Sequence, residues 1–315
     1  MVRLTSDSLK PLIDVYQTSH PIDWSQCFDQ PGALDVEIGF GIGETLIRMA
    51  QTAPQRNFIG LEQNWERICK TLRQIELLNR KSNRLGSLNN IRILKVDARL
   101  AFERLFEEKS LDRIFCLFPC PWPKTKHTKH RLFSAEFLRL LNNRLKDQGL
   151  LKIVTDHYPF LEWILEEAQG TGFEIHTQKI HSRYDTKFER KWVKAGQKEF
   201  FEINASKQQH ETIVPVKDIP MESYLLKDFD PAHFRFEQVK EKECSIIFKE
   251  MLFDPLKHKA MLHFVVSEGY LTQHFWVMII KKANRWRVCK ADGQTFFQTS
   301  GTARTLQLVY ERAKI

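Results

Sequence analysis

Through the first two thirds of the chain, short apolar runs alternate with stretches whose apolar residues recur every three to four positions. Residues 33–38 (ALDVEI) are one such run. They end in GFGIGE, and TLIRMAQ follows at helical spacing, which predicts strand, glycine turn and helix. A second strand is expected over 57–61, ending at Glu62, and then a helix over 65–80. That helix places Trp65, Ile68, Cys69, Leu72 and Ile75 on one face and Arg67, Lys70, Arg73 and Arg80 on the other. Residues 91–96 give a third strand ending at Asp97, with a helix over 100–108. Residues 111–118 give a fourth strand, with an amphipathic helix over 133–145 that Gly149 ends. A fifth strand, 150–155, stops at Asp156. A helix over 158–170 and strands over 173–180 and 198–204 complete the series.

Strands alternating with helices at this spacing predict an α/β fold with a mostly parallel, doubly wound, Rossmann-like sheet. Ligands of such sheets bind outside the carboxyl ends of the strands. Here those ends carry Glu37 with its glycines, Glu62, Asp97, Pro119-Cys120 and Asp156. After about residue 204 the texture changes. Residues 205–232 mix prolines, polar residues and short apolar pieces without a period, and are expected to form a linker. Residues 233–315 offer strands such as FRFEQVK, AMLHFVVSEGYL and HFWVMIIKK and a closing helix over 302–312. They are expected to form a small accessory α+β domain after a first domain of residues 1–204.

A length of 315 residues suits two domains, and 42% hydrophobic with 11% aromatic residues is ample for packed cores. The net charge of +9 points to a polyanionic partner, nucleic acid before membrane, against the plainer alternative of a generic basic surface. Six cysteines contain no CxxC pair, so no metal site is expected. The first residues, MVRLTSDSLKPLIDVY, hold no continuous apolar segment, and no run approaches the length of a membrane span. A cytoplasmic, non-membrane protein is the expectation, with monomer and homodimer both open.

The strand ends suggest the chemistry. Glu37-Ile38-Gly39-Phe40-Gly41-Ile42-Gly43 lets the backbone turn tightly and approach a ligand closely, although a purely structural turn would read the same. It is not a P-loop. Glu62 stands where ribose hydroxyls can donate to it. A carboxylate at the glycine turn would repel a pyrophosphate but tolerate a sulfonium and an amino group, which favours S-adenosylmethionine over NAD. Asp97 fits a contact to the adenine amine, and equally a helix N-cap. The fourth strand leaves through FPCPWPKTKHTKHR (118–131). Its prolines stiffen a corner, and Trp122 is either a plug beneath the loop or a platform for a base. Lys124, Lys126, Lys129 and Arg131, with His127 and His130, would meet phosphates, the alternative being a solvated loop face.

Taken in order, EIGFGIG, GLE, DA, FPCPWPKTKHTKHR, TDHYPFLEW and YDTKFERKWVKAGQ resemble the motif series of the bacterial tRNA (guanine-N7)-methyltransferases over roughly residues 33–204. The resemblance implies transfer of a methyl group from S-adenosylmethionine to a variable-loop guanine of tRNA. It implies donor contacts at Glu37, Glu62 and Asp97, with Gly39 and Gly41 in the turn. It also implies substrate contacts at Lys124, Asp156, Thr186, Lys187, Phe188 and Glu189. It says nothing specific about the remaining residues. One position departs from the family, which carries Asp between the two prolines where this chain has Cys120. The family Asp is taken as catalytic, so Cys120 occupies the catalytic position. Guanine N7 attacks through a lone pair and has no proton to lose, so a base is not strictly required. A carboxylate would instead orient the guanine and stabilise the charge growing on its ring. Three readings follow: an active guanine-N7 methyltransferase, a tRNA-binding homologue with impaired catalysis, and a cytosine-C5 methyltransferase whose Cys120 attacks the base.

Overall fold

The computed structural model describes residues 4–81 and 87–314, apart from the side chain of Thr125. The chain divides into two compact units, Met1–Pro215 and Val216–Ile315.

The first unit is built on an eight-stranded sheet. In chain order it comprises β1 (Leu12–Ile13), β2 (Ala33–Ile38), α1 (Glu44–Thr52), β3 (Arg56–Glu62), α2 (Trp65–Lys81), β4 (Ile91–Lys95) and α3 (Ala98–Arg104). There follow β5 (Leu111–Leu117), α4 (Ala135–Arg144), β6 (Leu145–Thr155), α5 (Tyr158–Glu167), β7 (Phe173–Ile180), α6 (Lys187–Lys194) and β8 (Phe200–Lys207). The strand order is β1-β4-β3-β2-β5-β6-β8-β7. All neighbours through β6 pair in parallel, and β8 pairs antiparallel with both β6 and β7. The expected Rossmann-like sheet is therefore present. The chain winds from β2 through β3 to β4 on one side, then returns to β5 on the other. The crevice outside the ends of β2 and β5 is thus the switch point at which this architecture binds ligands.

The apolar runs become strands because both faces are covered: Leu34 to Ile38 and Asn57 to Glu62 are buried without interruption. On one face Leu46 and Ile47 of α1 and Ile68, Leu72 and Ile75 of α2 pack against Phe58, Ile91 and Ile93. Leu72 is fully buried, so truncating it to Ala would cost about 2–5 kcal/mol. Among the boundaries that differ from the periodicity, two have a visible cause. Helix α3 starts at Ala98 rather than residue 100 because the Asp97 side chain accepts the Arg99 N–H and caps it. Helix α4 runs straight into β6 at Leu145, so Gly149 bends a strand instead of ending a helix, beside Gln148 at φ 66°. Beyond β8, Asn142 and Asn143 of α4 donate to the carbonyls of Gln209 and Glu211, tying the start of the 205–232 stretch to the first unit.

The second unit is a six-stranded antiparallel sheet with one helix. Its elements are β9 (Tyr224–Leu226), β10 (Val239–Lys240), β11 (Ser245–Asp254), β12 (Lys259–Glu268), β13 (Leu271–Lys282), β14 (Arg285–Lys290) and α7 (Ser300–Ala313), and the strand order is β10-β11-β12-β13-β14-β9. Alternation is clean on β12, where Ala260, Leu262, Phe264 and Val266 are buried and the residues between them are not. Those side chains pack with Phe275, Val277, Leu306 and Val309, the last two from α7. Strand β9 comes from within the 205–232 stretch and pairs with β14. Trp286 is 5% exposed and lies in this core, because alternation on β14 turns Trp286 and Val288 inward. Among the described residues, no helix is long and apolar enough to cross a membrane.

Candidate functional site

The glycine turn between β2 and α1 holds Gly39, Gly41 and Gly43 at φ 69°, 61° and 78°. A Cβ on Gly39 or Gly41 would meet nothing within 4 Å, so these two open onto free space. A Cβ on Gly43 would sit 2.3 Å from Thr71 Cγ2, so the third glycine lets α1 pack on α2. The residue types are the same, but two glycines serve the opening and one serves the core.

Glu37, at the end of β2, is 4% exposed, and its Oε2 makes no hydrogen bond. Burial pushes its pKa up to about 8, against the pull of Arg48. An unpaired, buried carboxyl at the foot of an open glycine turn is suited to a cationic hydrogen-bond donor, as an ammonium group is. Glu62 ends β3, and its two oxygens accept from the N–H groups of Gly41 (3.1 Å), Gln63 (3.0 Å) and Asn64 (2.9 Å). Arg67 adds a longer contact at 3.4 Å. Asp97 accepts the Arg99 N–H through one oxygen and the Gln63 side-chain amide, at 2.7 Å, through the other. Glu62 and Gln63 thus lace the ends of β2, β3 and β4 into one rim. A carboxylate with this many donors already satisfied also preserves the shape of the turn.

The corner after β5 is held from below. The Phe118 N–H donates to the Val154 carbonyl at 2.7 Å, and Phe118 and Trp122 adopt φ of 57° and 44°. Arg131, expected to meet phosphate, is 8% exposed. Its Nε donates to the Pro121 carbonyl at 3.0 Å, and its guanidinium lies 5.0 Å from the Trp163 ring centroid. It is a strut of the corner, because a delocalised guanidinium can be buried against aromatic rings where an ammonium cannot. Trp122 is 38% exposed beside the rings of His127 and His130, so it is not a buried plug. Lys124, Lys126 and Lys129 are exposed, as is Cys120. Asp156, half-buried, follows the last residue of β6, the strand next to β5.

The segment Thr186–Glu189 is brought to the glycine turn by contacts that the sequence does not announce. Thr186 caps α6 by accepting the Glu189 N–H, and the buried Glu189 carboxylate accepts the N–H groups of Arg183 and Tyr184. Its second oxygen, Oε2, is buried without a partner. Glu44, the residue after Gly43, accepts the Lys187 N–H at 2.8 Å and pairs with Arg190. Arg48 donates to the Tyr184 carbonyl. Behind the loop, Glu202 accepts from Tyr184, Arg183, Asn204 and Gln178. Burial raises its carboxyl, but these bonds outweigh that and hold it at about 2. Lys187 and Phe188 are exposed. Glu44, Arg48 and Glu202 escaped the sequence reading. The one signal available was the acidic first residue of α1, which reads as an ordinary helix start.

Residues 32–202 match the model of a family described as "Putative methyltransferase". The tRNA (guanine-N(7)-)-methyltransferase of Chlorobium phaeobacteroides is 44% identical over 179 residues, covering 57% of this chain and 84% of that protein. The chain belongs to the tRNA (guanine-N7)-methyltransferase family. Its methyl donor is accordingly S-adenosylmethionine. Another family member, from Nitrosomonas europaea, is 35% identical over 195 residues, 60% of this chain and 84% of that protein. The family enzyme of Thermotoga maritima is 27% identical over 301 residues, 92% of each chain, so that alignment extends into the second unit.

Proposed function

We propose that this protein transfers the methyl group of S-adenosylmethionine to N7 of a guanine in the variable loop of tRNA, in the cytoplasm. The observation that supports this best is the buried, unpaired Glu37 oxygen under an open glycine turn, with Thr186–Glu189 held beside that turn by Glu44. Glu37 would accept from the donor's amino group. Gly39 and Gly41 would admit its backbone-facing edge. Glu62 would accept from the ribose, displacing the long Arg67 contact, and Asp97 would face the adenine. When bound, S-adenosylmethionine supplies an electrophilic methyl group on a sulfonium.

The chain's own task is then to place guanine N7 in line with that methyl group and to exclude other nucleophiles. Since N7 loses no proton, no side chain need act as base, and Cys120 in place of the family Asp does not bar the reaction. The positive charge that grows on the guanine ring falls to Asp156, the half-buried acidic group at the β6 end, while the buried Glu189, expected to contact substrate, holds the Arg183–Tyr184 turn of the substrate segment. Lys124, Lys126 and Lys129 would hold the tRNA backbone. The exposed thiol of Cys120 supports a second reading, a tRNA-binding homologue with weakened catalysis. Labelled donor and unmodified tRNA decide between them: incorporation is expected, and it should vanish when the variable-loop guanine is replaced by adenine. Incorporation that survives the replacement would overturn the assignment, and tight tRNA binding without incorporation would favour the second reading.

A further inference from the structure

Helix α7 covers one face of the second sheet, and the other face carries two features of one kind of ligand site. The first is a group of rings. His263 on β12 stacks on Trp276 of β13 with centroids 4.4 Å apart and 7° between planes. His263 Nε2 and His274 Nδ1 are 2.9 Å apart, so the His274 ring lies edge to edge beside His263, with centroids 5.1 Å apart, and Glu250 of β11 lies 3.6 Å from His263 Nδ1 on the other side. His274 is exposed, which leaves its ring open to another flat ring.

The second feature is a cluster of cations on the same face. Alternation turns Trp286 and Val288 inward, so Arg285, Arg287 and Cys289 face outward, and register brings Lys282 opposite Arg285 and Lys259 beside Ile280, which pairs with Arg287. Burial raises the pKa of the Cys289 thiol and the Asp292 carboxylate adds to the rise, while Arg287, Lys282 and Lys259 pull it the other way, so three cations and one carboxylate act on this point of the face. Lys282, Arg285 and Arg287 are exposed, and the nearby Asp254 pairs with Lys257. From His274 to Lys282 is eight residues of β13, roughly 26 Å at about 3.3 Å each, a span for a run of nucleotides rather than one.

We infer that this open sheet face binds an unpaired segment of RNA, with a base stacked on the exposed His274 ring beside His263 and Trp276 and phosphates on Lys259, Lys282, Arg285 and Arg287. Stacking on aromatic side chains along a basic groove is how sequence-tolerant single-strand sites are built. The inference rests on the tRNA reading above and adds a second contact surface, outside the methyl-transfer site.

The test uses the full chain and unmodified tRNA, with affinity measured across a salt series. Arg285→Glu with Arg287→Glu should weaken binding about tenfold and lower the salt slope by about 1.4. His274→Ala should weaken binding about fivefold with the slope unchanged, because stacking releases no counterion. Donor affinity and the methylation rate at saturating tRNA should match the parent in both. Unchanged tRNA affinity and slope in both variants would overturn the inference even if the parent methylates tRNA normally. A parent that binds but does not methylate tRNA would sink the function above and leave this comparison readable. Loss of a dimer in light scattering, with affinity per protomer unchanged, would make the face a contact between copies and overturn the RNA assignment.

Discussion

Glu37 carries the electrostatic weight of the proposed donor site. Its carboxyl is held near 8 against an ordinary value of 4.5, so at neutral pH the free protein keeps it largely protonated. A cationic ligand needs the ionised form, so donor affinity should rise with pH towards about 8 and fall again once the ligand's own amino group loses its proton. In Glu37→Gln, calorimetry should find affinity lower by about 1–3 kcal/mol and without the rise below pH 8. The same raised value contributes stability at low pH that is lost as pH rises from the ordinary range through about 8. The Gln variant should flatten that part of a melting-temperature profile, and a profile equal to the parent's would contradict the burial argument. At Cys120, chemistry without proton removal predicts that Cys120→Ala keeps measurable methylation. Cys120→Asp should match or exceed the parent, because a carboxylate there stabilises the ring charge better than a thiol. Abolished activity in the Ala variant, with a covalent protein–RNA adduct in the parent, would return the reaction to cytosine.

Between elements, the corner after β5 separates charges that look alike in sequence. Replacing Lys126 and Lys129 with Ala should lower the tRNA salt slope by about 1.4–1.8 while leaving the melting temperature near the parent value. Replacing Arg131 should do the reverse, costing roughly 1–3 kcal/mol of stability, since the Pro121 carbonyl and the Trp163 face lose their partner. Equal slopes for all three changes would refute this division. Strand ends were legible in the sequence because an apolar run that stops at Glu62, Asp97 or Asp156 marks both the strand and its polar mouth. The inward turn of Arg131 was not, because a run of cations does not say which one meets Pro121. Nor was the α4–β6 continuity, since Gly149 chemically suits a helix stop as well as a strand bend.

On the scale of the whole molecule, the donor rim, the substrate segment and the basic corner all lie within Met1–Pro215. That division was half legible: loss of period after residue 204 marked the change, but short β9 pairs with β14 across 60 residues of sequence, from Leu226 to Trp286. Likewise the Glu44–Lys187 bond joins residues 143 apart, a distance no local pattern records. A chain ending at Pro215 should keep its fold and its donor affinity by circular dichroism and calorimetry, with losses confined to tRNA affinity. Unfolding, or failure to bind donor, would mean that the second unit completes the site. The central claim is that the chain methylates N7 of guanine in tRNA. Digesting tRNA to nucleosides after reaction and identifying the labelled product by mass spectrometry tests it most directly. The account predicts 7-methylguanosine, and label in 5-methylcytidine, or in no nucleoside at all, would contradict it.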